Sequence, residues 1–183
     1  MDKRYLRAEE MIRNTFFNML KEMPVYKLTV SELCRRTNIN RGTFYLHYQD
    51  CIELVEVLSN EIVDLFMPFI DDICTDRLKL QGSIIGILKT LTENENVALL
   101  IQSSELCRQI INRRFHNIVC DNWKRLSDIC DSEANMMYSY ISGGVFEAIK
   151  NIKADGISVD TNEQYKRLSK LINFGLSGYV KEV

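Results

Sequence analysis

Within RGTFYLHY, residues 41–48, an arginine, a threonine, two tyrosines and a histidine stand close together. Their chemistry is recognition by hydrogen bonds and apolar edges. Arg41, at the start of a helix, can touch a phosphate or the edge of a guanine. Thr43 and Leu46 carry methyl groups that can pack on thymine methyls in a major groove. The spacing lets Tyr45 and His47 reach phosphates, although His47 can equally be a satisfied surface histidine and Tyr48 a core residue. Twelve residues before Arg41, Thr29 can offer its hydroxyl and amide to a phosphate, because a helix N-terminus attracts anions.

These side chains need a scaffold, and Thr29 to Tyr48, TVSELCRRTNINRGTFYLHY, supplies one. It reads as two short helices joined by a tight turn. Thr29 caps the first, with Glu32 three residues on to complete a capping box. Val30 and Leu33 share one face, with Cys34 beside them. Asn38 enters the left-handed region cheaply, as a sharp turn requires. Ile39 plugs the turn from below, and Asn40 is a good N-cap for a second helix, Arg41 to Tyr48. Phe44 and Tyr48, four apart, point inward. Gly42, Leu46 and Gln49 form the opposite face, flanked by Thr43 and Tyr45. A glycine inside so short a helix costs about 1 kcal/mol against alanine, a cost that makes sense where something approaches the backbone closely. Helix, turn and helix with a polar outer face is the arrangement that lays a recognition helix in the major groove.

The segment LTVSELCRRTNIN followed by RGTFYLHYQD resembles the DNA-binding segment of TetR-type bacterial transcriptional regulators, closest to the subgroup whose recognition helix ends in H-Y-x-D. The motif covers roughly the first third of the chain. The resemblance implies that Tyr45 and His47 do reach phosphates; the DNA-contacting residues expected in all are Thr29, Asn40, Arg41, Gly42, Thr43, Tyr45, Leu46, His47 and Tyr48. It also implies that the fourth helix begins near a phosphate. Position 51 is Cys, where relatives commonly carry Lys, so one expected phosphate contact is missing.

Composition narrows the alternatives. The chain has 183 residues, 46% of them hydrophobic, with two prolines and eight glycines. Recurring helical periodicities make the class all-α: a three-helix DNA-binding head with a helix-turn-helix, and a helical-bundle body for regulation and dimerisation. The division expected is 1–49 for the head and 50–183 for the body. No apolar run approaches the roughly 18 residues that span a membrane, and the charged, amphipathic start MDKRYLRAEEMIRN is not a secretory signal. The expected compartment is the cytoplasm. Six cysteines are scattered without a C-x-x-C pair, which reads as free thiols and no metal site. With two histidines, and with no glycine-rich phosphate loop, nucleophile elbow or spaced carboxylate pair, the chain does not read as an enzyme, and no cofactor is expected. Residues 1–50 hold nine Lys/Arg and six Asp/Glu, a net of +3, against −5 for the remainder. A basic head on an acidic body suits contact with phosphates by the head alone.

The first helix should run from Lys3 to about Met23, with Tyr5, Ile12, Phe16, Met19 and Leu20 on one stripe and Arg4, Arg7 and Arg13 left for solvent or phosphate. The head core expected is Phe16, Leu20, Leu33, Ile39 and Phe44. A long helix should begin at Asp50 and end or kink at Pro68, followed by a polar connection, DDICTDRLKLQG. Short helices at 83–92 and 97–103 precede long ones over 105–126, 131–153 and from about 161 to 179. The last two are apolar over more than one face, and Gly143 and Gly144 allow another backbone to come close. This predicts a homodimer through a four-helix bundle, binding a palindromic operator on double-stranded DNA. The resemblance implies a small-molecule effector pocket in the body, with residues 50–67 as the link to the head; Phe66, Phe69, Phe115, His116, Trp123 and Tyr138 are aromatic there, and read first as core. A TetR-like interaction protein or coactivator working through a protein partner is the alternative.

Overall fold

The computed structural model describes residues 3–75, 79–126, 129–154 and 161–177. Among these residues all regular structure is helical, as the periodicities predict: α1 (Lys3–Glu22), a single 3₁₀ turn (Val25–Lys27), α2 (Val30–Thr37), α3 (Arg41–Tyr45), α4 (Cys51–Thr75), α5 (Leu80–Glu93), α6 (Glu95–Ser103), α7 (Glu105–Leu126), α8 (Asp131–Ala154) and α9 (Thr161–Ser177). Two compact units form, one of Met1–Ile62 with Asn96–Ile110, the other of Val63–Glu95 with Ile111–Val183.

In the first unit, α1 buries Ile12, Phe16, Met19 and Leu20 on the expected stripe. Leu33, Phe44, Leu54 and Val55 are fully buried, and Ile39 is half-buried at the turn. Arg13, expected to be left for solvent or phosphate, is half-buried and ion-paired: carboxylates of Glu9 and Glu61 hold it at 2.8 and 2.7 Å. The N-terminal half of α4 and the α6 residues Val97, Ala98, Leu100 and Ile101 complete this unit's buried surface.

In the second unit, Ile70, Val119, Cys120, Trp123, Ala134, Met137 and Tyr138 form one buried cluster, with Phe115, Ile141 and Ile172 packed on its rim. Both α8 and α9 lie against α5. A Cβ at Gly86 would collide with the Phe69 ring, so this glycine lets α5 close on α4.

Two boundaries after the head depart from the sequence reading. Pro68 lies inside α4, which continues to Thr75. Proline removes one N–H, but Pro68 and Asp64, whose carbonyl loses its donor, are both exposed, so water can take that carbonyl's place. The connection beginning at Asp71 is shorter than expected, since 71–75 and 80–82 are helical. The end expected for the last helix, near Tyr179, lies outside the described residues.

Candidate nucleic-acid interface

The recognition segment is built by caps. Thr29 is extended (φ −125°, ψ 146°), and its hydroxyl accepts the Glu32 amide at 3.3 Å. The expected return bond of a capping box is replaced. Both Glu32 oxygens take the guanidiniums of Arg35 and Arg36 at 2.7–2.8 Å, which pull its carboxyl down to about 2. Asn38 has φ 55°, the one positive φ at a non-glycine residue among those described, and makes the turn. The Asn40 Oδ1 atom accepts from the Thr43 amide at 2.7 Å and from the Thr43 hydroxyl at 3.1 Å. A Cβ at Gly42 would stand 3.2 Å from that same Oδ1, so glycine also leaves room for the cap.

The second helix is shorter than expected. It ends at Tyr45: the Leu46 amide is shared between the Gly42 carbonyl at 3.2 Å and the Thr43 carbonyl at 3.3 Å, and the His47 amide turns to Phe44, three residues back, at 2.9 Å, tightening the last turn. The chain then restarts at Asp50, whose carboxylate accepts from the amides of Ile52 (2.7 Å) and Glu53 (2.8 Å). That carboxylate occupies the N-terminus of α4. Cys51 points into the core, and burial pushes its thiol up to about 11.

The nine expected contact residues divide by exposure. Thr29, Asn40, Arg41, Gly42, Tyr45 and Leu46 are exposed, with Tyr45 at 54% and Leu46 at 73%. Arg41 donates to the Ser31 hydroxyl at 2.6 Å, so α2 orients its guanidinium through a neutral partner. Thr43 is half-buried, with its hydroxyl in the cap. His47 is half-buried and stacks on Tyr5 with ring centroids 4.0 Å apart. Its Nδ1 is buried without a partner, and burial holds its pKa below the ordinary value against the pull of Glu9. A neutral His47 can hydrogen-bond a phosphate but lends it no charge. Tyr48 is apart from this set: only 4% of it is exposed, and its hydroxyl lies between Arg13 and Glu9. Sequence reasoning missed Ser31, and it left Arg13 for solvent or phosphate rather than for the Tyr48 hydroxyl. The i,i+4 spacing of Glu9 and Arg13 is visible in the sequence, whereas Glu61 lies 48 residues from Arg13.

In the second unit four aromatic side chains meet in two pairs. Phe66 and Phe115 meet edge to face at 6.0 Å, and His116 does so with Tyr138 at 5.1 Å. Its Nε2 lies 2.6 Å from the Asn135 side-chain oxygen, and the Tyr138 hydroxyl donates to the Asn112 carbonyl at 3.2 Å. Cys34, Cys51, Cys107 and Cys120 are buried free thiols and Cys130 is exposed. Among the described residues no group of three His, Cys, Asp or Glu could hold a metal ion. Nor is any helix among the described residues long and apolar enough to cross a membrane.

No family model matches the chain. An uncharacterized HTH-type transcriptional regulator of Bacillus subtilis, YxbF, is 35% identical over 69 residues, which is 35% of this chain and 18% of that protein's length. The match therefore spans less than a fifth of that relative. Among solved structures, NalD of Pseudomonas aeruginosa, the secondary repressor of the MexAB-OprM multidrug efflux pump, superposes with a TM-score of 0.71 at 13% identity, covering 100% of both chains. The regulator FadR of Bacillus subtilis in complex with stearoyl-CoA superposes with a TM-score of 0.68 at 15% identity, covering 91% of this chain and 98% of that one. By its fold, and by the residues from Leu28 to Asp50 that carry the likeness, the chain resembles the TetR/AcrR-type transcriptional regulators.

Proposed function

We propose that the chain is a DNA-binding transcriptional regulator of TetR/AcrR type, acting in the cytoplasm as a homodimer on a palindromic operator, and a repressor. It is a binding protein and not an enzyme. The observation that carries the reading is the exposed row of Arg41, Gly42, Tyr45 and Leu46 on a helix fixed by the Asn38 turn and the Asn40 cap. Phosphate contacts fix register and base-edge contacts supply sequence preference. Arg41, Thr43 and Leu46 take the second role, with Gly42 admitting the DNA backbone. Thr29, Asn40, Tyr45 and His47 take the first, while Tyr48, 4% exposed, supports the helix from beneath without reaching DNA. Residues 1–49 do the binding, while residues 50–183 dimerise and respond to an effector.

The dimer surface proposed is the outer side of α8 and α9. Met136 (62% exposed) and Tyr140 (83%) stand one turn apart on α8, and Leu171 and Phe174 are 70% and 78% exposed on α9. Large apolar side chains grouped this way mark interaction sites. A Cβ added at Gly143, Gly144 or Gly175 would meet nothing within 4 Å, so the fold of the chain itself does not require glycine there. A close second backbone does.

Control follows from the body. FadR, of the same fold, is described with stearoyl-CoA, which supports a small-molecule effector here. The effector lowers DNA affinity by favouring one spacing of the two heads, with residues 50–67 as the pivot, and it can shift that balance only by its differential affinity for the two arrangements. Genomic fragments selected by the full-length protein, followed by head-to-head distances from spin labels with and without operator and effector, test the reading. Glu10 suits the label, being exposed, whereas Glu9 is engaged by Arg13. If no fragment is enriched, the DNA-binding reading fails. If affinity changes while the distance stays fixed, the pivot fails.

A further inference from the structure

Arg13 joins three segments of the first unit. Its Nη2 donates to Glu9 Oε1 at 2.8 Å, its Nη1 to Glu61 Oε2 at 2.7 Å, and its Nε to the Tyr48 hydroxyl at 3.0 Å. The Tyr48 hydroxyl in turn donates to the same Glu9 oxygen at 3.3 Å. Glu9 and Arg13 belong to α1, Tyr48 follows the recognition helix, and Glu61 lies on α4. The side chain of Arg13 is 25% exposed and Tyr48 is 4% exposed, so water competes poorly for the bond between them, whereas the Glu61 side chain is 49% exposed.

Charge and geometry each have a consequence. The cluster holds one cation and two carboxylates, so a neutral residue at position 13 would leave Glu9 and Glu61 facing each other without a counter-ion. Leu46 and His47 immediately precede Tyr48, and the exposed Tyr45 and Leu46 face the proposed groove. Where the Tyr48 hydroxyl is held, those side chains are held too. The buried rings of Phe16 and Phe44 keep the segment folded, but an apolar contact is non-directional. A planar guanidinium with three partners fixes an orientation.

We infer that Arg13 is a positioning residue for DNA binding: by bonding Glu61 of α4 and the Tyr48 hydroxyl together, it sets the orientation of the recognition helix from α4 without touching DNA itself. The inference rests on the DNA-binding reading above and deepens it, since it names the joint through which α4 acts on that helix.

The test uses the full-length protein, a selected operator fragment and a duplex of scrambled sequence. Fluorescence anisotropy gives both affinities and their salt dependence for Arg13→Gln, Arg13→Lys, Glu61→Gln, Tyr48→Phe and the pair Arg13→Gln with Glu61→Gln. Arg13→Gln and Glu61→Gln should each weaken operator binding about tenfold, and the pair no more than either alone, as residues of one network behave. Arg13→Lys, which keeps the charge but not the fork, should fall between parent and Arg13→Gln. Tyr48→Phe should lose affinity as well. Binding to scrambled duplex and the salt slope should stay at parental values. A salt slope shallower by about 0.9, the share of one neutralised phosphate, would mean that Arg13 touches DNA directly and would overturn the inference. So would lowered thermal stability with unchanged operator affinity, the mark of a merely structural role. Should Arg13→Gln fail to fold, Glu61→Gln and Tyr48→Phe decide: parental affinity in both overturns the inference. A parent that binds no duplex overturns the DNA-binding reading instead, and the inference with it.

Discussion

Replacing Leu171 by alanine should weaken the homodimer strongly while leaving each chain folded. Leu171 is 70% exposed in the single chain. Burying a whole leucine side chain contributes about 2 kcal/mol, so covering the exposed share contributes about 1.5 kcal/mol. A two-fold axis uses the same patch on both copies, which doubles the loss to about 3 kcal/mol, or roughly 150-fold in the dimer dissociation constant. Gly144→Arg should act in the same direction by holding the second backbone away. Tyr26→Ala is the control: Tyr26 is 83% exposed but lies in the other unit, and its removal should not change the assembly. Sedimentation velocity over a dilution series from micromolar downward reads the constant, and circular dichroism checks the fold. A monomeric parent at micromolar concentration refutes the reasoning. Parental association by both Leu171→Ala and Gly144→Arg would show that the dimer, if formed, uses another surface.

Two further predictions concern the head. His47 is held below its ordinary pKa of 6.5 by burial, with Glu9 pulling the other way and the rings of Tyr5 and Tyr48 beside it. Folded His47 therefore binds fewer protons than unfolded His47, and stability is lost as pH falls through about 6.5, the loss levelling off below the folded value. Urea denaturation at pH 7.5 and 5.5 should show this loss for the parent and a smaller one for His47→Gln; Glu32, pulled down to about 2, titrates well below that window. Equal losses would contradict the account. Asn38→Gly should leave stability nearly unchanged, whereas Asn38→Val should cost about 1–2 kcal/mol at a position with φ 55°. Equal midpoints for the two variants would place the turn elsewhere.

The local devices were legible in the sequence because each joins near neighbours along the chain. Thr29, Asn38, Asn40 and Asp50 do what their types and spacing imply, and the i,i+4 pair Phe44 and Tyr48 is buried as expected. What escaped depends on competing partners or on packing from far along the chain. Arg13 reads as a surface cation until Glu61 arrives from α4, and Glu32 reads as half of a capping box until Arg35 and Arg36 compete for its oxygens. Pro68 reads as an end or a kink because its local cost is plain, whereas the packing that carries α4 on past it to Thr75 is not. Position 45 ends the recognition helix for a similarly local reason, a tightened last turn, that residue types alone do not announce.

The central claim is that the exposed face of the helix-turn-helix binds DNA. The most direct measurement is the affinity of Arg41→Ala and Tyr45→Ala for a fragment selected from genomic DNA by the full-length parent, followed across a salt series. The account predicts a palindromic fragment bound by the parent, a steep fall of affinity with salt, with a slope of about 0.9 for each phosphate neutralised, and weaker binding by both variants with an unchanged helical spectrum. Parental affinity in both variants, or a parent indifferent to salt, would contradict it.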